Sequence, residues 1–250
     1  MARIQNSISV GAVCSALILT AACGVASKPL ATGKAATSAI PCVSGQEGST
    51  SKGTVNTPQE PDAGVNSITG KCWAEIAPTP ITEAVIRTPP AGSSAEFRTA
   101  WSPNYFYVWT HVHTGRSSLT NTNTSAVWQD DTVEVYLGVN DHAGAYRTGD
   151  GQFDINSGGL TNTNFGPDHS QAGTTGAHES EVKTANGYTT LLEMPLANLG
   201  LTPKKGLLVG FTVGVDFPDT SASKRVGQTM WVGTVANSSN DSAWGTAILS

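Results

Sequence analysis

The sequence predicts an all-β fold, a two-sheet antiparallel β-sandwich of jelly-roll or immunoglobulin-like type with about ten strands. Three observations carry that prediction. After Trp73, short β-branched and aromatic runs alternate with clusters of Gly, Pro, Asn and Asp, the spacing of strands and turns. No long amphipathic helical period interrupts them. Roughly 180 residues follow Cys72, enough for one well-buried core.

The expected strands, in order, are Glu83–Thr88, Glu96–Trp101, Tyr105–His113, Thr132–Val139, Gln152–Asn156, Glu179–Thr184, Tyr188–Pro195, Leu207–Asp216, Gln228–Thr234 and Gly245–Leu249. Two connections are marked by turn chemistry: Ser102-Pro103-Asn104, and Ala185-Asn186-Gly187 as a hairpin turn needing positive φ. Leu196–Leu201 reads as one helical turn before Pro203.

Upstream, the chain divides twice more. Residues 1–22 carry one early charge, Arg3, then an uncharged apolar stretch from Ile8 to Ala22. At about 15 residues this stretch is shorter than the ~20 of a spanning helix, and it has the layout of a secretory signal. The small residues before Cys23 match a lipoprotein signal, with Cys23 lipidated and membrane contact made only through that anchor. The alternative is ordinary cleavage near Ala26-Ser27 and free secretion. Residues 23–72 are rich in Ser, Thr, Gly and Ala and read as a low-complexity tether. On either reading Cys42 and Cys72 remain as an even pair in an oxidising compartment, so a Cys42–Cys72 disulfide is expected.

Composition excludes several classes. Net charge is −5, only 13% of residues are charged and no basic stripe exists, so no nucleic-acid partner is expected. No Gly-x-Ser-x-Gly, P-loop or zinc-protease signature occurs. The chain is expected to act as a monomer with no certain cofactor.

Strand alternation selects the candidate site. Val133, Val135 and Leu137 share the core face of one strand, leaving Thr132, Glu134 and Tyr136 on the other. Extending the strand backwards adds Asp130 and Trp128 to the outer face. On a second strand Phe153 and Ile155 point inward, leaving Gln152, Asp154 and Asn156 outside. A tryptophan and a carboxylate on one exposed face suit a sugar: the apolar face of the ring stacks on indole and its hydroxyls donate to the carboxylate. The bland alternative is a solvated sheet face.

Other constellations are weaker. His111 and His113 could ligate a metal but lack a sequence-local third ligand, His142 being only a spatial candidate. Glu134 and Asp154 admit a glycosidase-type hydrolase, against which a short-looped sandwich offers no deep cleft. Met194 and Met230 are the only mature methionines available to a haem. Asp131, on the core-side parity, reads as a loop cap or calcium ligand. Trp73, Trp101, Trp231 and Trp244 read as core. The aromatic stripe Tyr105, Tyr107 and Trp109 is either packed under the tether or a second surface. A surface interaction domain that keeps the fold without a sugar site is the remaining alternative.

The ordered run Phe97–Val108, Trp128–Leu137, Gly151–Phe153, Gly187–Pro195, Gly210–Asp216, Met230-Trp231 and Trp244-Gly245 resembles the family 9 carbohydrate-binding modules over essentially all of residues 73–250. The resemblance implies a β-sandwich often appended to xylan- or cellulose-degrading enzymes, binding xylan or cellulose fragments without catalysis. It implies ligand contacts at Trp128 and Glu134, with a clamp of two tryptophans in the best-known members and structural calcium in some. Two departures stand out. Asp154 occupies a position where a sugar-binding member carries arginine. The loop from Gly233 to Ala243, where the second clamp tryptophan would lie, has none.

Overall fold

The computed structural model describes residues 41–43, 49–116, 118–167, 176–219 and 224–250. The signal at 1–22 and Cys23 lie outside the described residues. The strands are β1 (Ser49–Ser51), β2 (Thr54–Thr57), β3 (Thr79–Pro80), β4 (Glu83–Ile86), β5 (Ser94–Trp101), β6 (Tyr105–His113) and β7 (Thr132–Val139), followed by β8 (Gly151–Asn156), β9 (Thr161–Phe165), β10 (His178–Thr184), β11 (Gly187–Pro195), β12 (Leu208–Asp219), β13 (Lys224–Met230) and β14 (Gly245–Leu249). Nine of the ten expected strands are present with their ends shifted by at most three residues, and the one expected at Gln228–Thr234 lies four residues earlier, at Lys224–Met230. The four unforeseen strands, β1, β2, β3 and β9, are short or polar, and β9 reads Thr-Asn-Thr-Asn-Phe with a single apolar residue.

Two sheets face each other. One runs β10-β11-β6-β5-β3; the other runs β1-β2-β14-β12-β7-β8-β9, with β13 bridging β12 and β4. The length of β12 forks the larger sheet. Leu208–Phe211 pairs with β14 and Gly214–Asp219 with β13, while β7 pairs along the opposite edge. The chain between β13 and β14 therefore emerges at the fork, beside the middle of β7.

The core fills the space between the sheets. Val133, Val135, Leu137, Phe153 and Ile155 from one sheet meet Phe97, Phe106, Val108, Leu192 and Met194 from the other. Phe211 sits at its centre, with ring centroids 5.4 Å from Phe97, 5.8 Å from Phe106 and 5.5 Å from Trp231. The inward parity expected for β7 and β8 holds.

The tether reading fails over its second half. Val55 of β2 is buried in the main core, and β2 pairs in parallel with β14. A short helix, α1 (Asp62–Val65), and a 3₁₀ turn at Lys71–Glu75 then dock on the outer face of β6. Val65, Cys72, Trp73 and Ile76 bury Ala100, Tyr107 and Leu191 in a second core. The Tyr107 hydroxyl donates to Asp62 Oδ1 at 2.6 Å, and Trp109 Nε1 donates to the Ile68 carbonyl at 3.1 Å. The aromatic stripe of β6 is thus the landing surface for this segment. A few well-placed apolar residues anchor a sequence whose average composition is that of a linker. The disulfide joins Cys42 to Cys72 with a Cα–Cα distance of 5.2 Å.

One turn expectation also changes. Ala185 and Asn186 close the β10–β11 hairpin, but neither Asn186 nor Gly187 has positive φ. Gly187 serves a different need: a Cβ there would collide with the Val112 carbonyl oxygen of β6. The Ser102 turn behaves as expected, its hydroxyl accepting from the amides of Asn104 and Tyr105 at 3.3 and 3.2 Å.

Candidate functional site

Trp128 does not lie on a strand. It sits in a 3₁₀ turn, Val127–Gln129, before β7 begins at Thr132. The turn is tied down on both sides. Val127 is buried and its carbonyl accepts from Thr132 Oγ1 at 2.6 Å. Asp130 accepts from the Asn123 amide at 2.9 Å and from Asn156 Nδ2 of β8 at 3.1 Å. With Val127 buried and Asp130 committed, the turn presents the half-buried Trp128 side chain outward.

The outward row of β7 and β8 forms the floor beneath it. Glu134 pairs in register with Asp154 across the two strands, and Tyr136 with Gln152. Trp128, Glu134, Tyr136 and Gln152 line one cavity of about 310 Å³ together with Asn164, Arg225, Gln228, Val235 and Ser238. The expected exposed sheet face is a correction: Glu134 is 2% and Gln152 3% exposed, because side chains of β13 and of the loops lining the cavity close over this part of the face. Asp154 does not line the cavity. It lies fully buried below, accepting from Gln152 Nε2 at 2.8 Å and Asn162 Nδ2 at 3.2 Å. Its role is to hold Gln152.

Glu134 is the most heavily hydrogen-bonded group of the floor, with protein donors in the place of water. It accepts from the Tyr136 hydroxyl and Gln228 Nε2, each at 2.6 Å, and from Gln152 Nε2 and Arg225 Nη1 at 3.4 Å. Gly214, opposite Glu134 on β12, leaves room for the Met230 side chain, which a Cβ there would displace. Arg225 also donates to Asp216 Oδ1 at 3.1 Å, and its guanidinium carbon lies 4.9 Å from the centre of the Trp128 ring.

Arg225 reaches the site through a β-bulge. Gly227 stands opposite Phe217 and Arg225 opposite Pro218, so Val226 is the extra residue. The insertion turns Arg225 to the same face as Gln228, which simple alternation three residues away forbids. The expected start of this strand, Gln228, lay beyond both, so Arg225 escaped notice. The opposing wall is the loop before β14, held by Tyr146 donating to the Asn237 carbonyl and by Asp241 accepting from the Gly144 amide, each at 2.6 Å. It presents Val235, 61% exposed, and Ser238 where a second aromatic was considered. Trp244 is buried against Tyr136 and Tyr146, as its structural reading required.

Two buried carboxyl groups, Glu134 and Asp216, thus hold one guanidinium, with Asp154 beside Glu134 on the next strand. Burial first, then repulsion from Glu134, pushes the Asp154 carboxyl up to about 8. The same two causes, in the same order, push Asp216 well above the usual carboxylate range. Burial also raises Asp131 and Asp150 to about 6. Between pH ~4 and ~8 folded Asp154 keeps a proton that the unfolded chain has released, so stability falls as pH rises through that window. Asp154→Asn removes this contribution, and Gln152, whose buried Oε1 lacks a partner, can turn to accept from the new amide. The variant is expected to melt later than wild type at pH 8, by about 1–3 kcal/mol, and to differ little at pH 4. Thermal melts across pH check it; a larger gain at pH 4 contradicts it.

The weaker constellations resolve locally. His111 Nδ1 lies 2.9 Å from Thr189 Oγ1, and His142 Nδ1 lies 3.4 Å from the Asp241 carbonyl, so the three histidines do not converge. Met194 and Met230 are fully buried in separate apolar clusters. Asp131 caps its loop, accepting from the Thr120 amide at 2.7 Å and pairing with Arg116. Among the described residues, the only grouping of three metal-type ligands is Cys42, Glu60 and Cys72, and its two sulfurs are the disulfide. No acidic triad fit for calcium converges there.

A sandwich carrying an indole and a donor-caged carboxylate in one cavity is the architecture of a sugar-binding module. The chain belongs to the carbohydrate family 9 binding domain-like family, whose model matches residues 65–250. Endo-1,4-beta-xylanase A of Thermotoga maritima and that of Thermotoga neapolitana are each 28% identical to it over 155 residues, 60% of this chain but 13% of theirs. The chain therefore spans a small part of those relatives. Among solved structures, a family 9 carbohydrate-binding module of Caldicellulosiruptor kristjanssonii in complex with cellotriose superposes with a TM-score of 0.66 at 21% identity, covering 78% of this chain and 93% of that one. The same organism's module in complex with glucose gives 0.64 at 22% identity, covering 79% and 95%.

Proposed function

We propose that this protein binds carbohydrate without transforming it, stacking a sugar ring on Trp128 and accepting its hydroxyl protons on Glu134 and Gln152. The observation that carries the reading is the convergence of Trp128, Glu134 and Gln152 on one cavity from three separate segments. The cellotriose and glucose complexes of the structural relatives, and the xylanases among the sequence relatives, point to gluco- and xylo-configured oligosaccharides as ligands. A glycosidase reading gains no support from the floor. Glu134 and Asp154 are neighbours on adjacent strands, and Asp154 is sealed below the cavity, whereas glycoside hydrolysis needs carboxyl groups flanking the bond.

With Val235 in place of a second aromatic wall, affinity is expected in the high-micromolar to millimolar range, about −4 to −6 kcal/mol. Calorimetric titration of the protein and of Trp128→Ala with cello- and xylo-oligosaccharides tests the proposal. Absence of binding to any glycan on a broad array overturns it. The reading includes export as a monomer held at the membrane by lipid on Cys23, supported by the small-residue run before that cysteine. Mass spectrometry of the mature N-terminus is expected to find an acylated Cys23; a free terminus at Ser27 without acyl mass refutes it.

A further inference from the structure

The donors on the cavity floor are largely committed, although Asn164 and Ser238 in the lining still offer neutral ones. Gln228 Nε2 is committed to Glu134, and Gln152 Nε2 to Asp154 and Glu134. Tyr136 gives its proton to Glu134 as well. The Glu134 carboxylate adds an acceptor. A sugar hydroxyl both donates and accepts, so a cavity of this kind needs a strong donor to complete the recognition.

Arg225 supplies it. Its Nη1 is held by Asp216 and Glu134, and its guanidinium lies against Trp128. Among the described residues Nε and Nη2 make no hydrogen bond, which leaves that edge of the fork for two adjacent ligand oxygens. Two oxygens at that spacing belong either to vicinal hydroxyls or to a carboxylate. The surrounding charge separates them. The guanidinium already faces Glu134 as well as Asp216, so an acidic sugar would bring its carboxylate against Glu134 in a partly enclosed cavity. We propose that Arg225 is the specificity-determining residue of this cavity, donating to adjacent hydroxyls of a neutral sugar while Glu134, which helps to hold it, excludes sugars that bear a carboxylate. The inference rests on the sugar-binding reading above.

The test titrates the full-length protein with xylotetraose and with xylotetraose carrying one glucuronate, alongside Trp128→Ala and Arg225→Lys. Wild type is expected to bind the neutral ligand at least tenfold more tightly than the acidic one. Arg225→Lys keeps the charge but loses the fork, and is expected to lose at least tenfold on the neutral ligand. Equal binding of the two ligands by wild type overturns the inference without reference to any variant. So does Arg225→Lys binding within twofold of wild type while Trp128→Ala has lost binding. If Trp128→Ala binds as wild type does, or neither ligand binds at all, the sugar-site reading fails first and carries the inference with it.

Discussion

Trp128→Ala is expected to remove most of the sugar affinity, a loss of about 2 kcal/mol or more, or roughly thirtyfold, as is common for a central aromatic anchor. The side chain is half-buried, projects from a turn, and packs against Arg225 rather than into either core. Its loss therefore costs the fold about 1 kcal/mol, chiefly the cation–π contact. A core tryptophan replaced by alanine costs about 3–5 kcal/mol. Thermal melting and titration on the same sample separate the two roles. Early unfolding of the variant would assign Trp128 to the framework and withdraw it from the site. Glu134→Gln does not allow such a clean separation. Glu134 is held by Tyr136, Gln228, Gln152 and Arg225, so an amide there disturbs the floor and binding together.

The largest stability effect is expected from the cross-link. Replacing Cys42 and Cys72 by alanine opens a loop of sequence separation 30, worth roughly 3–4 kcal/mol in the chain-entropy model. Were residues 23–72 a free tether, most of that would be spent on ordering the tether. The structure directs it to the domain. Cys72 is fully buried, its turn covers Tyr107 and Leu191, and Gly64 packs so closely on the Cys72 sulfur that no Cβ fits between them. For a domain of about 200 residues the double variant is expected to melt about 10 °C earlier. The companion observation is hydrogen exchange: amides of α1 and the following turn should lose protection first. A melting temperature within 2 °C of wild type would show that the segment is secured without its staple.

Particular elements show where the reading of residues succeeded. Tyr105–His113, Thr132–Val139 and Gly245–Leu249 appear with the expected ends because alternation and bounding turns are local properties of the chain. The inward faces of β7 and β8 followed for the same reason. Trp128 and Glu134 do share a cavity, but not by the parity that selected them. The strand starts at Thr132, and a 3₁₀ turn, invisible to a two-residue period, carries the indole over the floor. Asp154 had the right face and the wrong depth, since alternation says which side a residue takes and nothing about what covers that side.

The amino-acid sequence alone was sufficient for the fold class, the strand order along the chain, the core faces, the cysteine pair and the family resemblance. All of these depend on local periodicity, residue chemistry or ordered spacing. Tertiary structure alone decided the rest. It converted a linker-like stretch into β2, α1 and a cover for β6, because a few apolar contacts outweigh average composition once a partner surface exists. It closed the outer face of β7 into a cavity by forking β12, and it brought Arg225 to Trp128 through one inserted residue in β13. Those outcomes depend on which distant strands meet and in what register, and a single bulge reverses every face beyond it.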